Sequence, residues 1–232
     1  MPVKRFVKSM NFAIEGILHA ARTQRHIRYH LFASMLLLLA CFTLGINRDE
    51  FIILTVMAML VIVTEMINSV IEETVDLVCP HKNEKARVIK DMAAGAVLLV
   101  AAVALLVAYF LIKPYVIFFI KHGISVAKHT SGDIAVCSMI VVMILVIVIK
   151  AYTGKGLPLR GGMPSGHSAV MFSLWISMTF GTGKWFVSVP LLFAAAAVAC
   201  SRVFQGIHTW LEVIVGSVMG ALVTWGLFAI FY

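Results

Sequence analysis

Two groups of residues in this sequence have types and spacing suited to chemistry. The first begins in KAYTGKGLPLRGGMPSGHSAV, where Lys155 and Arg160 precede Pro164-Ser165-Gly166-His167. Pro164 and Ser165 stand before an apolar helical run, and a helix N-terminus offers unpaired N–H groups and the positive end of a dipole to an anion. Gly166 allows a ligand close to the backbone, while Lys155 and Arg160 can neutralise its remaining charge. Further on, SRVFQGIHTWLE supplies Ser201, Arg202, His208 and Glu212. If that stretch is helical, His208 and Glu212 are one turn apart, so the carboxylate can bind one imidazole nitrogen and leave the other free to attack. A lone buried histidine is more often a satisfied interfacial residue, and loop cations are usually topology anchors. The complete set points to phosphate chemistry.

The second group lies in FIILTVMAMLVIVTEMINSVIEETVDLV, where Glu65, Asn68, Glu72 and Asp76 recur at steps of three and four. All four therefore share one helix face. Measured from Phe51, Glu65 sits about 21 Å and Glu72 about 31 Å along the axis. Glu72 and Asp76 thus reach an interface while Glu65 stays below it. Carboxylates at such depth persist when they face a protein interior, a cation or a substrate path. The plainer alternative is a packing network in which Asn68 hydrogen-bonds across helices.

The elements that must carry these groups are membrane helices. Of 232 residues, 61% are hydrophobic and only 13% charged, values foreign to a soluble domain. Nineteen Lys and Arg against eleven Asp and Glu give +8. Apolar blocks separate these charges, so the excess reads as loop anchors facing anionic headgroups and excludes a nucleic-acid partner. Cys41, Cys79, Cys137 and Cys200 show no paired spacing, which suggests neither a disulfide framework nor a zinc site. The start lacks a signal-peptide core and cleavage site, so the basic N-terminus is expected to be retained.

A crossing needs about 20 helical residues. Seven segments qualify: 29–46, 51–78, 92–112, 134–149, 166–180, 185–200 and 210–232, the fourth to sixth being short. Residues 2–28 mix apolar and basic side chains and suit an amphipathic helix lying in the interface. The expected fold is therefore an all-α integral membrane protein with one interfacial helix and about seven spans. Residues 113–132 read as an interfacial linker between domains at 1–112 and 133–232. With the N-terminus inside, fourteen of the nineteen lysines and arginines fall in inner segments. The C-terminus then lies outside, and both reactive groups face the cytoplasm. Gly216 and Gly220 form a G-x-x-x-G face expected to mediate close helix packing.

The run E-x-x-N-S-x-I-E-x-x-V-D from Glu65 to Asp76, with Lys90-Asp91-Met92 and AAGAVLL after it, resembles the small bacterial integral-membrane diacylglycerol kinase and undecaprenol kinase family. The resemblance covers about 5–112 and implies three-span subunits in a homotrimer, with active sites shared between neighbours at the cytoplasmic face. It implies ATP and magnesium for this half. Glu65 would be the general base toward a lipid hydroxyl, Glu72 a magnesium-ATP ligand, and Arg5, Asn68, Asp76, Lys90 and Asp91 nucleotide-binding residues. Such a ladder suits phosphoryl transfer, which is mainly positioning plus charge neutralisation. One departure is Gln24, aligned where the family usually places a second metal-binding glutamate. An amide still offers an oxygen to magnesium, but without the charge.

P-S-G-H, followed by S-R, five residues, His and an acid four positions later, resembles the type 2 phosphatidic acid phosphatase superfamily over 134–232. The resemblance implies a four-span catalytic bundle that needs no cofactor. His208 would be the nucleophile forming a phosphohistidine, Glu212 its orienting acid, and His167 the acid and base. Lys155, Arg160, Ser165, Gly166 and Arg202 would bind the phosphate. The orienting acid is Glu212 where aspartate is commoner, a change that a small helix rotation could absorb. The usual Lys, six residues, Arg-Pro element is absent, and either Lys150 or Lys155 can take the place of its lysine.

Together these features describe an inner-membrane lipid phosphatase fused to an ATP-dependent lipid kinase. The candidate lipids are phosphatidic acid with diacylglycerol, or undecaprenyl phosphate or diphosphate with undecaprenol. A lipid phosphotransferase and a non-catalytic lipid-binding or transport protein are the alternatives. A transporter would collect its polar groups at midplane breaks between similar halves, and neither feature is seen.

Overall fold

A computed structural model of the chain describes residues 2–122, 127–153 and 161–232; the side chains of 2–8 and 10 lie outside that description. The described residues form eight α-helices and no strand: α1 Pro2–Thr23, α2 Arg25–Leu44, α3 Arg48–Val78, α4 Glu84–His122, α5 Ser131–Thr153, α6 Gly166–Thr182, α7 Trp185–Phe204 and α8 Trp210–Phe231. Six of them, α2 to α5, α7 and α8, are long and apolar enough to cross a membrane. Helix α6 has 17 residues and so rises about 26 Å, short of the roughly 30 Å of a hydrocarbon core.

Two boundaries differ from expectation. The N-terminal helix stops at Thr23, because Gln24 is extended (φ −102°, ψ 117°), and Arg25 to Arg28 become the first turn of α2. Helix α4 runs on for 39 residues through Pro114 to His122, so the first ten residues of the expected interfacial linker are helical. The apolar run on both sides of Pro114 sustains the helix, as membrane helices tolerate a proline whose freed carbonyl finds another partner.

The chain divides into two compact units: Thr23–Ser125, and Met1–Arg22 with Val126–Tyr232. The N-terminal helix thus groups with the C-terminal half rather than with the residues that follow it. In the unit of α2, α3 and α4, Cys41, Ile46 and Leu54 form a buried cluster against Phe51, Leu111 and Tyr115. Asn47 caps α3 by accepting the Asp49 N–H at 2.8 Å. The Tyr115 hydroxyl donates to Glu50 at 2.5 Å and accepts the Asn47 N–H at 3.2 Å, tying α4 to the start of α3. One side of α4 thus packs on this cluster, yet no described residue of the helix is fully buried.

In the other unit α6 packs against α5, α7 and α8. The two small residues of α8 make the closest approach. A Cβ on Gly216 would lie 2.4 Å from the Ser165 carbonyl oxygen, and one on Gly220 would lie 2.0 Å from that of Ala169. The G-x-x-x-G face therefore seats backbone against backbone at the start of α6. Farther along, the buried hydroxyls of Ser173 and Thr224 share a hydrogen bond of 2.7 Å. Trp175 Nε1 donates to Ser188 at 3.1 Å, joining α6 to α7. These bonds satisfy polar groups that the surroundings would otherwise penalise.

Candidate active sites

In the C-terminal unit the site is built where α5, α6 and α7 end or begin. Ser165 is the N-cap residue of α6 and is fully buried. Its N–H donates to the Glu212 carbonyl at 2.9 Å, and its hydroxyl accepts from Ser168 at 3.0 Å. Its side chain does not cap the helix. The N–H groups of Gly166, His167 and Ser168 therefore begin a helix without intrahelical acceptors, the arrangement that attracts an anion.

The spacing between Arg202 and His208 closes a turn. The Arg202 carbonyl accepts N–H groups from Ile207 at 3.0 Å and His208 at 3.1 Å. Gly206 (φ 65°) makes the reversal, in a region other residues rarely adopt. Ser201 bonds back to the Val198 carbonyl at 2.7 Å. His208 is 5% exposed; its Nδ1 meets Glu212 Oε2 at 2.8 Å. Its Nε2 is buried without a partner, as is Arg202 Nε. Two orphaned nitrogens, one able to attack and one cationic donor, call for a bound anion.

His208 stands just before α8 rather than within it, so the pairing with Glu212 does not arise from helical periodicity. Glu212 is the third residue of α8 and reaches back in a capping box with Thr209. The Thr209 hydroxyl accepts the Glu212 N–H at 3.3 Å, and Glu212 Oε2 accepts the Thr209 N–H at 3.2 Å. Its other oxygen accepts the Gly162 N–H at 3.1 Å. One carboxylate thereby holds the imidazole, the helix start and the end of the loop before α6. No helix rotation is needed to fit the longer acid.

Burial is the largest influence on His208 and pushes the imidazole below its usual range; the Glu212 hydrogen bond acts against this, and Lys150 and Arg202 add to the lowering. A neutral ring whose Nδ1–H is given to Glu212 presents its lone pair at Nε2. His167 stands half-buried near the start of α6. Of the two candidate lysines, Lys150 is 1% exposed with Nζ 3.3 Å from the Gly161 carbonyl. Lys155 and Arg160 lie outside the described residues. Sequence reasoning missed Thr209, Gly162 and Ser168. A T-x-x-E pattern before an apolar run was the available signal for Thr209.

In the other unit Glu65 and Asn68 are buried on α3. Asn68 Nδ2 donates to Glu72 at 3.0 Å, while Asn68 Oδ1 is buried without a partner. Asp76 pairs with Lys90 across the turn between α3 and α4. Asp91 pairs instead with Arg87, at 2.7 Å on an exposed surface. Gln24 makes no side-chain cap bond, and no described contact brings it to Glu72. The Arg5 side chain lies outside the description. Glu72 and the orphaned Asn68 oxygen, one turn apart, are hard oxygen donors of the kind magnesium accepts, the rest of its shell coming from phosphates and water.

Comparison with known proteins accounts for both groups. The model of the PAP2 superfamily matches residues 95–232, and that of prokaryotic diacylglycerol kinase matches residues 11–112. An undecaprenol kinase of Bacillus subtilis is 31% identical over 112 residues, 48% of this chain and 91% of that protein. A diacylglycerol kinase of Synechocystis is 35% identical over 107 residues, 46% of this chain and 61% of the relative. Another, from Pseudomonas aeruginosa, is 28% identical over 94 residues, 40% of this chain and 76% of its own length. No solved structure matches. The chain is thus a multi-pass membrane protein that belongs to both a lipid kinase family, the prokaryotic diacylglycerol kinases, and a lipid phosphatase family, the PAP2 superfamily, joined in one polypeptide.

Proposed function

We propose that the C-terminal half hydrolyses a lipid phosphate or diphosphate through a phosphohistidine at His208. The observation that carries this reading is the buried, unpartnered Nε2 of an imidazole whose Nδ1 is held by Glu212, on a residue whose backbone bonds to Arg202, itself with an unpartnered Nε. In the first step the Nε2 lone pair forms a bond to phosphorus while the phosphorus–oxygen bond to the lipid breaks. His167 gives its proton to the departing oxygen. Water then attacks the phosphohistidine and loses a proton to His167, which releases phosphate and restores both rings. Glu212 stabilises the positive charge that develops on His208. Ser165, the first N–H groups of α6, Lys150 and Arg202 hold the phosphate oxygens. Lys155 and Arg160, by the motif they belong to, join them.

The N-terminal half acts as an ATP-dependent lipid kinase. Glu65, buried below the headgroups, takes the proton of a lipid hydroxyl. Glu72 and Asn68 would hold magnesium, and Asp76, Lys90, Asp91 and Arg5 would hold nucleotide. Magnesium, when bound, neutralises the phosphate charge of ATP. The amide of Gln24 lowers the charge of this set by one. An apolar α4 with no buried residue suits a homotrimer in which neighbouring subunits complete each site.

The substrates are phosphatidic acid and diacylglycerol, or the undecaprenyl counterparts suggested by the Bacillus relative. Both reactions take place at the cytoplasmic face of the inner membrane. Charge counting supports that topology. So does the contact between Arg22 and Lys150, which puts the basic N-terminal helix at the phosphate-loop end of α5.

The test uses purified full-length protein, given phosphatidic acid or, separately, magnesium ATP with diacylglycerol or undecaprenol. His208→Ala should abolish phosphate release and leave the kinase reaction, while Glu65→Gln should do the reverse. Undiminished phosphate release by His208→Ala would remove the proposed phosphatase.

A further inference from the structure

We propose that α1, which sequence order assigns to the kinase half, is a working part of the phosphatase half, with Arg22 as a positioning residue that seats the end of α5 and so the Lys150 ammonium group. The proposal rests on the phosphatase reading above and adds a residue from outside the part of the chain that resembles a phosphatase.

The Lys150 carbonyl lies in the last described turn of α5, which runs to Thr153. Arg22 Nε donates to it at 3.4 Å, and the Thr153 hydroxyl donates to it at the same distance. Lys150 faces two ways. Its carbonyl is held by Arg22, and its buried side chain reaches Gly161, next to the glycine whose N–H is held by Glu212. A shift of the last turn of α5 would therefore move the ammonium group relative to the phosphate loop.

Arg22 is itself anchored. Leu18 and Ala21, four and one positions before it, are 1% and 0% exposed, whereas Phe12 on the same helix is 60% exposed. Residues 18, 21 and 22 share a helix face, so burial of the first two fixes the third. The compact unit that holds the phosphatase residues includes Met1–Arg22 and stops there. The ordinary alternative for Arg22 is a topology anchor, which would act on headgroups and not on Lys150.

A double-mutant cycle on the full-length protein separates the two, with phosphate release from phosphatidic acid as the readout and His208→Ala as the blank. Arg22→Ala should lower kcat/KM about tenfold, the cost of one charge-assisted hydrogen bond, and Arg22→Lys should restore most of it. In a Lys150→Met background Arg22→Ala should cost less than about twofold, because a residue acting through Lys150 has nothing left to position. Gly16→Ala, on the same helix with nothing within 4 Å of its new Cβ, should behave as wild type. Equal losses in both backgrounds, or an Arg22→Ala within twofold of wild type, would overturn the proposal. Should Lys150→Met alone reach the blank, the Ki of orthovanadate decides: a rise in Arg22→Ala that Arg22→Lys reverses supports positioning, and an unchanged Ki refutes it. A wild type no better than the blank would instead fail the phosphatase reading.

Discussion

Replacing Glu212 with glutamine tests the clamp at the centre of the phosphatase site. The carboxylate accepts from His208 Nδ1 and the Thr209 N–H on one oxygen and from the Gly162 N–H on the other. Glutamine keeps the shape but must turn its NH2 toward one of these donors. With the amide oxygen left to His208, a charge-assisted bond becomes a neutral one, a loss of about 1 kcal/mol, and the Gly162 N–H loses its acceptor at a cost of about 1–3 kcal/mol. The sum of about 2–4 kcal/mol corresponds to about a 30- to 1,000-fold fall in kcat/KM for phosphate release. The pH profile gives a second readout with a definite sign. Burial, Lys150 and Arg202 hold His208 below its usual range, and Glu212 opposes them. Without Glu212 the opposition is gone, so the imidazole stays neutral to still lower pH and the acid limb should move further to acid. A Glu212→Gln enzyme within twofold of wild type, or an acid limb displaced toward alkaline pH, would refute this account of the clamp.

Gly216→Ala would put a Cβ 2.4 Å from the Ser165 carbonyl, so it should cost about 1–3 kcal/mol in thermal unfolding in detergent and lower phosphate release. Gly226→Ala, on the same helix with nothing within 4 Å, should be neutral or stabilising; equal effects of the two would contradict the close approach of α8 to α6. In the kinase half, Asn68→Ala removes the amide that donates to Glu72, together with its unpartnered oxygen, and should raise the magnesium concentration needed for ATP-dependent phosphorylation about tenfold, with phosphate release unchanged. An unaltered magnesium requirement would exclude Asn68 as a ligand. Single cysteines introduced near Gly162 and Asp49 in a cysteine-free background should differ toward an impermeant reagent in intact cells, with only the one near Asp49 labelled. Labelling of both would place the phosphate loop on the outer face.

Much of this was legible in the sequence because polar residues are conspicuous in an apolar chain. The spacing of Glu65, Asn68 and Glu72 announced a single helix face, and the structure places an Asn68–Glu72 hydrogen bond on it. The motifs around His167 and His208 marked their loops, and Gly216 and Gly220 marked a packing face, though not that its partner is the backbone of Ser165 and Ala169. What remained hidden depends on contacts distant in sequence. The spacing of His208 and Glu212 suggests helical periodicity, whereas a capping box at Thr209 makes the pairing. Helix α4 passes Pro114 because tertiary and membrane surroundings override local propensity. No local pattern announces the burial of Lys150 or the hydrogen bond it receives from Arg22, 128 residues away.

The central claim is that His208 carries the phosphoryl group. Rapid quenching of the full-length enzyme during turnover of phosphatidic acid radiolabelled in its phosphate should trap acid-labile, base-stable label on the peptide containing His208, and His208→Ala should give neither label nor phosphate. Phosphate release at the wild-type rate from His208→Ala, or label confined to another residue, would contradict the account.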